Sequence, residues 1–313
     1  MIPEGYDVHP IAEEEIAAVA RLVYRYDTRD GGEGDMTETA LRELLATPRL
    51  DRARDTWVAS SGGSPVGYGM LWRQHPSPVL LNFNNVDPEH FGRGLGRVLL
   101  RRTVARAEEM AAAAATVMKL QTFVSVSDAA ARSLVVSEGF QEVRRHYTMA
   151  ISLRDGVPSY AFPPGFVVRN PERAEAERVH ELEEECFAEH WGHVRSGFDE
   201  WVDKWRIRSD VDTSLWWIAE KAGEPAGVLL GLIDHDGLSD VAWVASLGVR
   251  APHRGAGLGK ALLATAFEEF ARRGIPKATL GVDAGNESGA VALYTGIGMQ
   301  IAHAYITFER SIG

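Results

Sequence analysis

Apolar positions recur along the chain with two periods. Leu258, Leu262, Leu263, Ala266, Phe267 and Phe270 repeat at helical spacing, which predicts an amphipathic helix laid on a sheet, and Gly274 and Pro276 then stop it. Residues 215–221, 226–234 and 241–249 are apolar-rich runs of strand length bounded by Gly, Pro or Asp, and they predict three successive antiparallel strands. Ahead of them, 166–169 predicts a short strand, 172–190 a polar-rich helix and 198–208 a second helix. Beyond them come a strand at 277–282, a short helix at 288–296 and a last strand at 299–308. The first half of the chain runs through the same order, with Leu95, Leu99, Leu100, Val104 and Ala107 marking its own amphipathic helix. Strands, an interposed helix, more strands and another helix make a mixed α/β layer.

The likeness of the halves extends to individual residues. Trp57-Val58-Ala59 ahead of Ser64-Pro65-Val66-Gly67 is answered by Trp217-Ile218-Ala219 ahead of Glu224-Pro225-Ala226-Gly227, at an offset of 160. Gly92, Gly94 and Gly96 are answered by Gly255, Gly257 and Gly259, and Leu134 to Phe140 by Leu293 to Met299, at offsets of 163 and 159. Three ordered matches at a nearly constant offset are the signature of an internal duplication. The breaker-rich stretch Asp155-Gly156-Val157-Pro158 to Phe162-Pro163-Pro164-Gly165 supplies a boundary. The expected organisation is a domain at 1–155, a linker at 156–164 and a second domain at 165–313, each large enough to bury its own core.

Composition narrows the partners. A net charge of −11 opposes the attraction to phosphate that dominates nucleic-acid binding, so nucleic acid is excluded and small neutral or cationic partners fit better. The single cysteine, Cys186, can make neither an internal disulfide nor a CxxC zinc site, so no metal is expected and a reducing cytoplasm is. The start, Met1 to Gly5, lacks the features of a signal peptide. The apolar stretch 110–118 is about half the ~18 residues a membrane helix needs, so no membrane association is expected. Abundant Ala, Arg and Gly suggest a bacterial source.

Chemistry enters at Arg254-Gly255-Ala256-Gly257-Leu258-Gly259-Lys260, between a strand and a helix. Glycines there permit positive φ and close approach of a ligand, while the free N–H groups and dipole of the helix start favour an anion such as a pyrophosphate. A Walker loop would continue Gly-Lys with Ser or Thr, and here Ala261 follows; the dinucleotide fingerprint needs G-x-G-x-x-G, and here the spacing is G-x-G-x-G. A plain strand-to-helix turn also accounts for so short a motif.

Leu247-Gly248-Val249, the R-x-x-G-x-G of Arg254 to Gly259, then Asn286 and Leu293-Tyr294 ahead of Gly298-Met299 resemble the acetyl-CoA binding core of the GNAT superfamily of N-acetyltransferases. Duplication makes the chain similar to tandem GNAT proteins, among them mycothiol synthases, although 188–193 and 286–290 look closer to other tandem members. The resemblance implies two tandem domains, each a central mixed, splayed sheet flanked by helices. It also implies acetyl-CoA as cofactor and transfer of its acetyl group to a primary amine of a small molecule. Backbone N–H groups from Arg254 to Lys260, including Ala256 and Leu258, would hold the pyrophosphate, and Leu247, Gly248 and Val249 would run beside the pantetheine arm. Asn286 would hydrogen-bond the cofactor near the thioester, the Leu247 N–H would stabilise charge on the carbonyl oxygen, and Tyr294 would protonate the departing thiolate. Tyr294 as an aromatic merely packed on the sheet is the competing reading.

The halves are not equal. Phe91 stands where the second copy has Arg254, Val135 where it has Tyr294, and Asp128 near the Asn286 position. Valine cannot donate a proton and a carboxylate repels phosphate, so the first copy is expected to be degenerate and non-catalytic. On the acceptor side, Glu181 and Glu185 lie one helical turn apart, followed by His190 and Trp191; Asp234, His235 and Asp236 stand at a strand end. The glutamates also read as a solvated helix face, and Cys186 as a small buried helix residue. A mycothiol synthase-like enzyme, a protein N-acetyltransferase and a non-catalytic acyl-CoA sensor stand as alternatives, and the oligomeric state is open.

Overall fold

The computed structural model describes residues 2–29, 36–47, 50–74, 77–204, 211–235, 238–285 and 289–313. Its elements, in order, begin with β1 (Asp7–His9), α1 (Ile16–Thr28), α2 (Glu38–Leu45), α3 (Arg52–Asp55), β2 (Thr56–Ser61), β3 (Ser64–Gln74) and β4 (Val79–Val86). Then come α4 (Leu95–Ala114), β5 (Met118–Ser125), α5 (Ala129–Ser137), β6 (Gln141–Ser152), β7 (Phe166–Arg169), α6 (Ala176–Phe187) and α7 (Phe198–Lys204). The chain finishes with β8 (Trp216–Lys221), β9 (Glu224–His235), β10 (Leu238–Val249), α8 (Leu258–Arg272), β11 (Lys277–Asp283), α9 (Ala290–Thr295) and β12 (Gln300–Ile312). In the second half the described elements lie where the periodicity places them, with shifts of a few residues at the ends, while 205–208 of the helix expected at 198–208 fall outside the described residues.

Two compact units result, Met1–His146 with His303–Gly313, and Tyr147–Ala302. The first has the sheet order β1-β2-β3-β4-β5-β12; the second runs β7-β8-β9-β10-β11-β6. The last strand of each sheet therefore comes from the other half of the sequence. β12 pairs antiparallel with β5, from Tyr305 opposite Ser125 to Ile312 opposite Met118. Burial follows that pairing: Ile306, Phe308 and Ile312 enter the first unit's core, and Met149 and Leu153 the second's.

The duplication reaches into details of the ladder. In both units the second hairpin strand starts Ser/Glu-Pro, and the register shifts at Ala59/Ser60 and at Ala219/Glu220. Pro65 and Pro225 lack the N–H the ladder needs, which explains an irregularity at both places. Helix α8 buries Leu258, Leu262, Leu263, Ala266, Phe267 and Phe270, the face its periodicity marked, and Leu95, Leu99, Leu100, Val104 and Ala107 do the same for α4. Burying each large side chain contributes roughly 1.5–3 kcal/mol.

Each sheet contains a parallel pair that parts. β4 and β5 are in register from Val79/Lys119 to Asn82/Thr122, and β10 and β11 from Val241/Lys277 to Trp243/Thr279. Past Trp243, β10 continues to Val249 and β11 to Asp283 without further pairing among the described residues. No described helix is long and apolar enough to cross a membrane.

Candidate active site

The parting of β10 from β11 leaves main-chain groups without a sheet partner. Against β9, β10 carries a register shift between Val244 and Ser246. Downstream of it the Arg250 N–H donates to the Ala226 carbonyl at 2.9 Å. Strand alternation then directs the N–H groups of Gly248 and Ser246 to β9 as well, and those of Leu247 and Val249 toward the gap. The Val249 carbonyl is taken by Arg254 Nε at 3.0 Å.

The gap opens into a 410 Å³ cavity. Its two sides are set by the same alternation. A Cβ on Gly248 would meet Cys186 and Phe187 of α6, whereas Val249 Cγ2 faces Gly259 of α8, so α6 covers one face of β10 and α8 with α9 the other. The turn Gly255 to Gly257 closes the end. Gly255 and Gly257 have φ of +78° and +90°, and a Cβ on either would touch nothing within 4 Å. Glycine is needed there for the left-handed backbone, and the space above it is open to a ligand. Gly257 precedes α8 with no side chain capping the helix, so first-turn N–H groups and the helix dipole are available to an anion. Gly259 serves packing instead: a Cβ there would lie 2.9 Å from Leu293 Cδ1 of α9.

Leu247, Gly248, Val249, Arg254, Gly255, Gly257, Leu258, Gly259, Lys260, Tyr294 and His190 line this one cavity; Ala256 does not line it, and Asn286 lies outside the described residues. Tyr294 on α9 is buried, and burial pushes its phenol up to about 12, so it holds its proton at neutral pH. Lys260 Nζ donates to the Gly296 carbonyl at 3.2 Å and lies over the Tyr160 ring, and Arg254 pairs with Glu189 at 3.3 Å. Glu181 and Glu185 do not line the cavity; they pair with Arg195 and Arg250, each at 2.6 Å. Trp191 is 41% exposed and away from the lining. Asp236 and the side chains of Asp234 and His235 lie outside the described residues. Cys186 is buried against Gly248, which pushes its thiol up to about 12. Ser246 and Asp283 also line the cavity without having carried a sequence motif. Ser246 follows a bulge that only strand pairing reveals, and Asp283 is one acidic strand end among several.

The loop after α6 is anchored by a buried carboxylate. Glu184 accepts from the Ser196 N–H and Oγ at 3.3 and 2.9 Å and pairs with His193 Nε2 at 3.0 Å. His180, also buried, donates through Nε2 to the Ser196 carbonyl at 3.1 Å. A buried charge is tolerated when it is paired and hydrogen-bonded, and here its partners fix the segment that carries His190.

The first unit keeps the turn and changes what surrounds it. Gly92 and Gly94 have φ of +74° and +86°. Arg29 stacks 3.9 Å from the centroid of Tyr26, lies 5.6 Å from that of Phe91 and pairs with Asp128 at 2.5 Å. Asp128 caps α5 by accepting from the Ala131 N–H, and Val135 is buried. Corresponding ion pairs have exchanged signs: Arg25–Asp87 in the first unit matches Glu185–Arg250 in the second.

A larger cavity of 590 Å³ lies at the amino ends of β10 and β11, lined by Ile151, Arg154, Asp240, Lys277 and Gln300 among others. Its one left-handed glycine, Gly298, lies between the end of α9 and β12, and no described helix starts at its lining, so chemistry and not size identifies the site at the other end of the strands.

A profile of the acetyltransferase (GNAT) family matches residues 12–140 and 176–299. The mycothiol acetyltransferase of Salinispora arenicola is 28% identical over 313 residues, covering 95% of this chain and 94% of that protein. The crystal structure of a GCN5-related N-acetyltransferase from Sphaerobacter thermophilus superposes with a TM-score of 0.86 at 26% identity, covering 99% of this chain and 97% of that one. A tandem GNAT protein from the clavulanic acid biosynthesis pathway shares the fold, with a TM-score of 0.72 at 19% identity and coverage of 98% and 99%. Matched twice by one family profile, the chain belongs to the acetyltransferase (GNAT) family in its tandem form.

Proposed function

We propose that the second unit is an acetyl-CoA-dependent N-acetyltransferase acting on the primary amine of a small molecule, and that the first unit is a non-catalytic duplicate. One observation carries this reading: a single cavity gathers the parted strand, the left-handed glycine turn at an uncapped helix start, and a buried, protonated tyrosine. Among the described residues only the second unit combines all three, because buried Val135 stands in the first where the phenol stands in the second.

Bound acetyl-CoA supplies the acetyl group as an activated thioester. The open space over Gly255 and Gly257 and the free amides at the start of α8 suit its pyrophosphate, and the gap-facing main chain of Leu247 and Val249 suits its amide-bearing arm. The Leu247 N–H presents a preorganised donor where negative charge develops on the carbonyl oxygen. Tyr294 holds a proton at neutral pH and can give it to a departing thiolate. The lone cysteine and the net charge of −11 fit a cytoplasmic enzyme with a neutral or cationic acceptor.

The test is release of free thiol from acetyl-CoA against a panel of amines, with acetylated product identified by mass spectrometry. Full-length relatives named mycothiol acetyltransferases favour their acceptor as one member of the panel, beside aminoglycosides, polyamines and amino acids. Tight cofactor binding with silence across the panel would favour a non-catalytic sensor.

A further inference from the structure

Opposite faces of β10 carry different chemistry. Tyr294 belongs to α9, on the α8 side. His190 follows α6, its ring packed 4.4 Å centroid to centroid against Phe187, and Phe187 is one of the side chains that contact the Gly248 position from the α6 side. His190 therefore reaches the cavity from the face opposite the phenol, against the Phe187 ring that meets the Gly248 position. Its backbone is fixed at both ends, with its N–H donating to the Phe187 carbonyl at 2.9 Å and its carbonyl accepting from His193 at 3.1 Å. The Glu184 carboxylate in turn anchors His193 and Ser196. Among the described residues the imidazole nitrogens of His190 have no hydrogen-bond partner, so they are available to a ligand in the cavity.

Resting on the acetyltransferase reading, we infer that His190 is the base that accepts the proton of the acceptor amine, which enters from the α6 face while the sulfur departs toward the α9 face. The amine lone pair forms the C–N bond, the C–S bond breaks with its electron pair on sulfur, the imidazole takes one N–H proton, and Tyr294 returns a proton to sulfur. The imidazolium then gives its proton to solvent, and solvent restores the phenol. The groups acting on His190 are Arg254 from the turn, His193 and Glu189 from its own loop, and Asp283 from β11. Burial, with His193 and Arg254, pushes the imidazole below its ordinary value against the pull of Asp283 and Glu189, which leaves it neutral at pH 7.

His190→Gln keeps a polar side chain that cannot carry the proton. With an amine the wild type acetylates, kcat should fall roughly 10²-fold while the Kd for coenzyme A, by calorimetry, stays within about twofold. The acidic limb of the kcat/KM profile, centred below pH 6.5 in the wild type, should disappear. His190→Gly should recover activity on addition of imidazole, which a structural role would not produce. An unchanged acidic limb, or kcat within about threefold of wild type, would overturn the assignment. Failure of the wild type itself to release thiol with any amine would refute the acetyltransferase reading instead, so the two failures are separable.

Discussion

Gly248→Ala isolates the contact that holds α6 to the splayed strand. A Cβ at this position would sit 2.5 Å from Cys186 Cβ, 3.0 Å from its Sγ and 3.3 Å from Phe187 Cε2. Cys186 Cβ cannot rotate away, because it is fixed to the helix backbone. Carbon atoms pack comfortably at about 3.5–4.0 Å, so the end of α6 must lift by roughly 1 Å. Overpacking of that kind costs about 1–3 kcal/mol. Without the clash, alanine in place of a strand glycine would stabilise by about 0.5–1 kcal/mol, so the sign alone is informative. Thermal unfolding followed by circular dichroism should show a lower Tm, by roughly 2–4 °C per kcal/mol. Cys186→Gly removes both offending atoms and by itself costs about 1 kcal/mol of helix propensity as well as lost packing. In the double variant the loss should be smaller than the sum of the single losses, by about 1–3 kcal/mol. Strict additivity, or a Gly248→Ala protein as stable as wild type, would refute the claimed contact between α6 and β10.

Gly257→Ala leaves the space above the turn nearly unchanged but places a side chain at φ +90°, a cost of about 1–2 kcal/mol that the folded protein pays, so Tm should fall by roughly 2–8 °C; Gly257→Asn should lose less, and equal Tm in all three proteins would show that the turn is not held in the left-handed conformation. The Cys186 thiol, raised to about 12 from 9.0, should resist iodoacetamide at pH 8 in the native protein and react on denaturation. Because the folded state keeps its proton longer, this thiol's contribution to stability is present below pH 9 and fades between pH 9 and 12, a loss that Cys186→Ala should reduce in alkaline unfolding curves.

Helix faces, strand runs and the glycine turn were legible in the residues because each depends on local periodicity or on a backbone angle few residues adopt. The duplication was legible for the same reason, down to the paired prolines at 65 and 225. Which sheet receives the last strand was not: 299–308 reads as a strand wherever it pairs, and only the burial of Ile306, Phe308 and Ile312 in the first unit decides it. The bulge before Ser246 is equally silent in sequence, because a register shift belongs to two strands at once. Glu181 and Glu185 show the limit of charge patterns, since Arg195 and Arg250 come to them from other parts of the chain. Glu184, between them in sequence, is the buried one, and helical geometry turns it toward His193 and Ser196.

The proposed acetyl transfer in the second unit's cavity turns on Tyr294 returning the proton to sulfur. Steady-state thiol release by Tyr294→Phe, beside calorimetric binding of coenzyme A, tests it most directly. In that variant kcat should fall at least about tenfold, with Kd within about twofold of wild type. Unchanged turnover in Tyr294→Phe would contradict it.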